Sequence, residues 1–228
     1  MGNYEILNKG SFPIVNYHLN QGEKIKAEAG AMIAMSPAIE VTGGTEGGIF
    51  KGFARMLAGE KFFFQYLTAS KGSGSVIFGH AVPGDIIDIE LDGTNGLKVA
   101  KDGFLAATDD IQLDTKTQNL AQGLFGGAGF FVLSITGKGH LFLSCYGSTH
   151  KMTLGQGEEL IVDNGHMLAW SDTMSYKIEK ASKSFMSSLT SGEGLVCRFT
   201  GPGTIYIQTR NPGGLVDFLR RLGLGSKG

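Results

Sequence analysis

Apolar and polar residues alternate over short stretches of this chain, and glycines separate the stretches. Residues 85–91 alternate Ile87, Ile89 and Leu91 with acidic residues, and residues 24–28 show the same period of two. This period predicts β-strands that bury one face. The sequence therefore predicts an all-β protein of many short antiparallel strands.

Helical periodicity is confined to two places. Residues 114–124 carry weakly periodic leucines, and a clearer apolar stripe follows Pro212, at Leu215, Val216, Phe218, Leu219 and Leu222. Arg220 and Arg221 follow this stripe, and cations suit the last turn of a helix. We therefore expect residues 211–228 to form a short helical tail.

The chain also contains an internal repeat. When residues 19–36 are set above residues 154–171, eight of the 18 positions are identical. A weaker third copy lies at residues 101–107. Gly30, Gly103 and Gly165 occupy the matching position between two apolar runs, where glycine can adopt a positive φ. We interpret these three glycines as hairpin turns.

These glycines are one repeated landmark, and a second one follows each of them at a similar distance. Gly-x-Gly units at residues 72–74, 137–139 and 201–203 are each followed by one polar and three apolar residues. Strands rather than helices are expected after them, so they do not fit a nucleotide-binding loop, and we interpret them as hairpin turns too. The two landmarks predict one body at residues 1–210 with three repeated antiparallel β modules, at about 4–82, 83–149 and 150–210.

Composition and charge exclude several classes of partner. The 228 residues include 36 glycines and 42% hydrophobic residues, enough for a packed core. Twenty basic residues against 21 acidic ones give a net charge of −1. Nucleic-acid binding is therefore not expected, because it depends on positive charge.

The sequence favours a cytoplasmic location, with membrane association left open. The first nine residues are polar and alternating, unlike a signal peptide. The uncharged stretch at residues 117–137 holds its apolar part in residues 123–135, short of the roughly 18 residues that span a bilayer. Cys145 and Cys197 lie in apolar runs typical of reduced core thiols, although one disulfide is compatible with the sequence.

Titratable and nucleophilic side chains form no recognised catalytic or metal-binding pattern. The five histidines include no His-x-His pair and no His-Glu-x-x-His motif, and the serines include no Gly-x-Ser-x-Gly elbow. The sequence therefore favours a non-enzyme without cofactor or metal. Arg55, Glu60 and His166 are polar residues within otherwise apolar motifs, and they are the candidate binding residues.

Several motifs resemble, in order along the chain, those of the altered-inheritance-of-mitochondria family, whose bacterial members were long grouped as a domain of unknown function. They are AEAGAM at 27–32, GEKFF at 59–63, LFGG at 124–127, VDNGH at 162–166 and GPGTIYIQTR at 201–210. The resemblance covers residues 4–210. It implies three repeats of a double-stranded β-helix fold like the tryptophan RNA-binding attenuation protein, and a homotrimer. Fungal relatives are mitochondrial and linked to inner-membrane organisation.

Three hypotheses of function follow. The first is a non-enzymatic, oligomeric β scaffold or interaction protein, with an apolar docking loop at residues 43–59. The second is peripheral membrane association through that loop and the helical tail. The third is a small-molecule binder or enzyme with a pocket between repeats, using Arg55, Glu60 and His166.

Overall fold

The computed structural model describes residues 3–10, 12–44, 64–114, 132–180 and 195–224. Its strands fall into three consecutive groups. The first group is β1 (Asn3–Leu7), β2 (Ile14–Leu19), β3 (Lys24–Glu28), β4 (Met32–Met35), β5 (Glu40–Gly44), β6 (Phe64–Thr68) and β7 (Gly74–Phe78). The second group is β8 (Gly84–Asp92), β9 (Leu97–Ala100), β10 (Phe104–Thr108), β11 (Ile111–Asp114) and β12 (Val132–Tyr146). The third group is β13 (Thr149–Leu154), β14 (Glu159–Asp163), β15 (Met167–Ser171), β16 (Ser175–Lys180), β17 (Leu195–Thr200) and β18 (Gly203–Gln208).

The predicted all-β class and the helical tail are confirmed. A single α-helix, α1 (Pro212–Arg221), follows the last strand in the described part of the chain. Asn211 caps it by accepting a hydrogen bond from the backbone N–H of Gly213 at 2.8 Å, and proline stands at its first position. Both features favour helix initiation. The helix predicted at residues 114–124 lies almost entirely outside the described residues.

The same pairing pattern occurs in each strand group. In the first group β7 lies between β2 and β4, and β6 lies between β3 and β5. In the third group β18 lies between β13 and β15, and β17 lies between β14 and β16. In the second group β12 fills both central positions, pairing β8 and β10 with one half and β9 and β11 with the other.

A register shift marks the same place in all three groups. It falls between Met32 and Ala34 in β4, between Phe104 and Ala106 in β10, and between Met167 and Ala169 in β15. β-Bulges are specific local features, and they fix which residues face one another. These shifts therefore define corresponding positions in β4, β10 and β15.

The hairpin prediction for the Gly-x-Gly units is wrong. Among the described strands β6 does not pair with β7, nor β17 with β18, and β12 runs unbroken through residues 137–139. The strand before each Gly-x-Gly unit instead pairs with one set of strands, and the strand after it pairs with another. Gly137 has φ +105° and Gly139 has φ +146°, which only glycine adopts readily. The local glycine pattern therefore marked where the partner strands change, but it did not predict which strands pair.

The hairpin prediction for Gly30, Gly103 and Gly165 is also wrong. The strands that flank each glycine pair with other strands and not with each other in the described sheets. Gly30 has a positive φ of +92°, but Gly103 and Gly165 lie in short 3₁₀ turns. At Gly103 a Cβ would come within 2.6 Å of Leu168 Cδ1, so a side chain there would force the buried Leu168 to shift.

Two antiparallel pairings join the groups. We call the pairing of β3 with β10 the first joint and the pairing of β9 with β15 the second joint. Side chains from one group complete the core of the previous one: Leu105 and Phe142 pack in the cluster of the first group, and Leu168 packs in the cluster of the second. The three cores are therefore continuous across the joints.

Phe142 tests the contribution of the first joint to stability. Its side chain is fully buried and contacts the rings of Tyr4 and Tyr17. We expect Phe142→Ala to lower the free energy of unfolding by about 3–5 kcal/mol, because the cavity cannot close. Urea denaturation followed by fluorescence measures the change. Phe218→Ala, at an exposed ring of α1, is the control and should change it by less than about 0.5 kcal/mol; equal losses would contradict the prediction.

Candidate functional site

The predicted binding residues do not form a group in the described structure. Arg55 and Glu60 lie outside the described residues, as does most of the predicted docking loop at 43–59. His166 is half-buried in the 3₁₀ turn before β15. Its Nδ1 lies 2.8 Å from the carbonyl oxygen of Gln208. Because a carbonyl only accepts, Nδ1 carries the proton, and the ring is tied to the backbone of β18.

Hydrogen bonds around His166 fix the backbone of the turn in which it lies. The Gln208 amide donates to the carbonyl of Gly165 at 3.0 Å and accepts from the N–H of Tyr146 at 2.9 Å. Asp163 accepts from the N–H of Gly165 at 2.8 Å. This network orders the backbone between β14 and β15. The contacts of His166 are therefore those of a residue that holds a turn in place.

The two cysteines are buried and not joined to each other. Cys145 belongs to the second core cluster and Cys197 to the third. Burial raises the pKa of Cys197 to about 12 and also raises the pKa of Cys145. Since the thiolate is the reactive form, neither is suited to nucleophilic chemistry. Within the described residues, no three His, Cys, Asp or Glu side chains come together as a metal site.

A groove of about 300 Å³ lies beside the first joint. Tyr17 and Lys24 line it from the first group, and Asp109, Lys138 and His140 line it from the second. Lys24 is 3.3 Å from Asp109 across the groove, so that pair of charges is already matched. His166 does not line this groove. A second, wider pocket of about 730 Å³ is lined by residues of all three groups, including Phe12, Asp85 and Arg210.

Tyr4 anchors β1 next to this groove. Its hydroxyl donates to Asp88 at 2.6 Å, and its ring packs edge-on against the His140 ring, with centroids 4.9 Å apart. Burial and the neighbouring Asp88 carboxylate raise the pKa of Tyr4 well above its usual value. Tyr4 therefore stays protonated and acts as a hydrogen-bond donor, not as a base.

A buried lysine secures the first joint. Lys26, on β3, is only 7% exposed, and its Nζ donates to the backbone carbonyls of Asp109, at 2.6 Å, and Ile111. Buried charged groups require such partners. In the second joint the corresponding residue is Lys98, whose Nζ lies 3.3 Å from Ser134 Oγ. The two joints thus share a lysine but hold it differently.

Strand β4 differs from its counterparts in exposure. The register shifts match Ile33 to Leu105 and Leu168, and these three residues are 59%, 0% and 2% exposed. Met35, the last residue of β4, is 40% exposed. β10 and β15 are covered because each pairs with a strand of the preceding group, whereas β4 pairs only with β7 in the described sheets. The first group therefore presents an uncovered apolar strand.

Strand β14 presents a matching open edge at the other end of the chain. Its counterparts β3 and β9 each pair with the next group, but β14 pairs only with β17 among the described strands. Ile161, in the middle of β14, is 40% exposed. The counterparts of β4 and β14 in the other groups all pair with a strand of a neighbouring group, and β4 and β14 do not in the described sheets. We call these two strands the open edges.

Sequence reasoning missed the open edges. The aligned residues Ile33 and Leu168 are both apolar, so local pattern predicts the same burial for each. A usable signal was present: lysine stands at position 26 and apolar Ile161 at the aligned position of the third repeat. That difference indicates a different environment on the two strands.

Comparison with known protein families confirms the resemblance of the motifs. The family model described as mitochondrial biogenesis AIM24 matches residues 4–210, and the chain belongs to this family. An uncharacterised protein of Streptococcus pyogenes serotype M6 is 32% identical over 208 residues, covering 88% of this chain and 82% of its own length. The X-ray crystal structure of protein SPYM3_0169 from Streptococcus pyogenes is similar, with 30% identity and a TM-score of 0.80, over 97% of this chain and 100% of that one.

Lys26 provides a test of how the first joint is held. We expect Lys26→Met to lower the free energy of unfolding by about 2–3 kcal/mol, because two buried carbonyls lose a charged donor. Lys98→Met is the matched control at the second joint, and its single long contact predicts a loss below about 1 kcal/mol. Chemical denaturation of both variants measures the difference. The interpretation fails if the two losses are equal.

Proposed function

We propose that this protein is a non-enzymatic scaffold that assembles with copies of itself and is built from three copies of one β unit of double-stranded β-helix type. The observation that carries the proposal is the exposure of β4. An apolar strand that is buried at both corresponding positions is uncovered at one end of the chain.

The recurrence of the pairings supports the three-unit interpretation. Each group divides its strands between two central positions, both filled by β12 in the second group, and each has a register shift at the same position. A unit with one way of joining its neighbour can be extended by further units. The trimer that the family resemblance implies agrees with this arrangement.

The composition of β4 supports self-assembly over a monomeric state. Natural edge strands are protected by charges, proline, short length or a cover, because an open strand invites pairing. β4 (Met32–Met35) is short, but it has no charged residue and no proline, and it exposes Ile33 and Met35. A strand of this kind is expected to have a partner.

The mass in solution tests the scaffold proposal. Sedimentation equilibrium at micromolar concentration should give a multiple of the 24.2 kDa chain mass. Ile33→Lys should lower that mass toward a single chain, because an ammonium group would have to be buried. Val41→Lys, at an apolar residue on β5 of similar exposure to Met35, is the control and should keep the wild-type mass. A wild-type protein that sediments as a monomer overturns the proposal.

A second candidate function is binding to a membrane surface, which the tail helix favours. None of the described helices is long and apolar enough to cross a bilayer. Helix α1 nevertheless has no buried residue; it exposes Val216, Phe218 and Leu219, the residue after it, Leu222, is also exposed, and Arg220 and Arg221 lie in its last turn. Amphipathic helices with basic ends bind in the plane of anionic membranes.

Co-sedimentation with liposomes tests this second candidate. Vesicles of phosphatidylcholine with about one third phosphatidylserine should bind the protein, and binding should fall at least about tenfold when Phe218 and Leu222 are both replaced by serine, given about 0.8 kcal/mol per buried CH₂. Val41→Ser is the control for a general loss of exposed apolar surface. Equal binding by all variants would exclude the helix as the membrane contact.

The third hypothesis, a ligand site between repeats, remains a proposal for Arg55, Glu60 and His166. In the described structure its support is the groove beside the first joint, to which His166 does not contribute. It is the weakest of the three.

A further inference from the structure

We propose that copies of this protein assemble head to tail, with β4 of one copy pairing antiparallel with β14 of the next. The contact would repeat the first and second joints between chains. This inference rests on the proposed self-assembly and names its two surfaces and their register.

The order of the groups identifies the missing partner strand. In both joints the strand that carries the register shift pairs with a strand of the preceding group: β10 with β3, and β15 with β9. β4 belongs to the first group, and among the described strands it pairs only with β7, with no earlier group to supply that partner. The strand that corresponds to β3 and β9 in the third group is β14, which pairs only with β17 among the described strands. β4 therefore lacks the kind of partner strand that β14 could provide, and β14 lacks the kind that β4 could provide.

The register of the new pairing follows from the two joints. Ala106 and Ala107 lie opposite Ala27 and Lys26 in the first joint. Ala169 and Trp170 lie opposite Val99 and Lys98 in the second. Since Ala34 and Met35 follow the register shift in β4, they correspond to these pairs.

The same comparison fixes the residues of β14. Lys98 lies opposite Ser134, and Ile161 lies opposite Arg198. Ser134 and Arg198 each stand three residues before the first glycine of a Gly-x-Gly unit, so Lys98 and Ile161 correspond. Ala34 should thus face Val162, and Met35 should face Ile161 of the neighbouring copy.

The chemistry of the two edges suits this register. In the joints within the chain the residue at the Ile161 position is a lysine, but at the open edges Met35 and Ile161 are both apolar and each 40% exposed. Facing apolar side chains of this kind stabilise an antiparallel pair. Neither strand needs to bury a charge when the pair forms.

The core clusters provide an independent argument for the same partner. Leu105 and Ala106 pack in the cluster of the first group, and Leu168 and Ala169 pack in that of the second. The corresponding residues Ile33 and Ala34 are exposed. In the proposed contact they would pack on the third cluster of the next copy, which includes Val162, Cys197 and Phe199. Each core would then receive the same pair of residues from its neighbour.

The contact is not two-fold symmetric, because its two surfaces differ. A heterologous contact generates a closed ring when its rotation returns to the first copy, and an open filament otherwise. An isologous dimer through β4 alone would leave both copies of β14 uncovered. The test must therefore distinguish unlike from like contacts.

Cysteine cross-linking tests the contact directly. Residues directly opposite in an antiparallel pair have Cα atoms roughly 4.5–5.5 Å apart, within the range for a disulfide. Met35→Cys and Ile161→Cys are made as separate variants, mixed after mild dissociation and reassembly, and oxidised with diamide. The native Cys145 and Cys197 are buried, so the wild-type protein should not cross-link.

The expected result is a covalent dimer in the mixture and none with either variant alone. A chain that carries both substitutions should form a ladder of covalent multimers, and its largest member should match the sedimentation mass if the ring is closed. Val41→Cys mixed with Ile161→Cys is the control for random collision, because Val41 lies on β5, away from the proposed register.

Other results would overturn the inference. Dimers of Met35→Cys alone would show a like contact, and a disulfide within one doubly substituted chain would show that β4 and β14 meet in the same copy. An oligomer without the mixed cross-link would refute this interface but leave the scaffold proposal standing. A monomeric wild-type protein would refute both.

Discussion

The structure depends on antiparallel pairing between strand groups. At each joint one strand of a group pairs with the group before it and sends side chains into that group's core, as Leu105 and Leu168 do. The groups are too small to enclose large cores by themselves, and small units gain stability mainly by covering one another. Burial at the joints therefore governs which strands are covered, where the groove lies and which edges stay open.

The Gly-x-Gly units mark where the chain of each group changes its partner strands. The strand that enters a Gly-x-Gly unit pairs with one set of partners and the strand that leaves it pairs with another; β12 shows this within a single strand. Backbone freedom at Gly137 and Gly139 allows this exchange without a hairpin. In β12 the chain thus changes its partner strands without reversing its direction.

Local pattern was sufficient for the class of fold and for the tail helix, because alternation and a helical stripe are properties of neighbouring residues. It was insufficient for strand partners, which is why glycines 30, 103 and 165 were misread as hairpins. The open edges could not be predicted from local pattern for the same reason. Ile33 and Leu168 have similar local sequences, and what separates them is whether another group lies beyond. The candidate binding residues shared only a polar character, and His166 proved to be held by the turn around it.

Lys26 carries a further consequence for fidelity. Its ammonium group has acceptors at the carbonyls of Asp109 and Ile111, in the turn between β10 and β11. A strand bearing that charge is poorly suited to lie against Met35, where no such turn has been described. In the proposed contact, a first group in the place of the third group would set the Lys26 ammonium against Met35 of the neighbouring copy. Such an exchange would bury an ammonium group without these acceptors, which is costly, so Lys26 would favour the order of groups in the proposed contact.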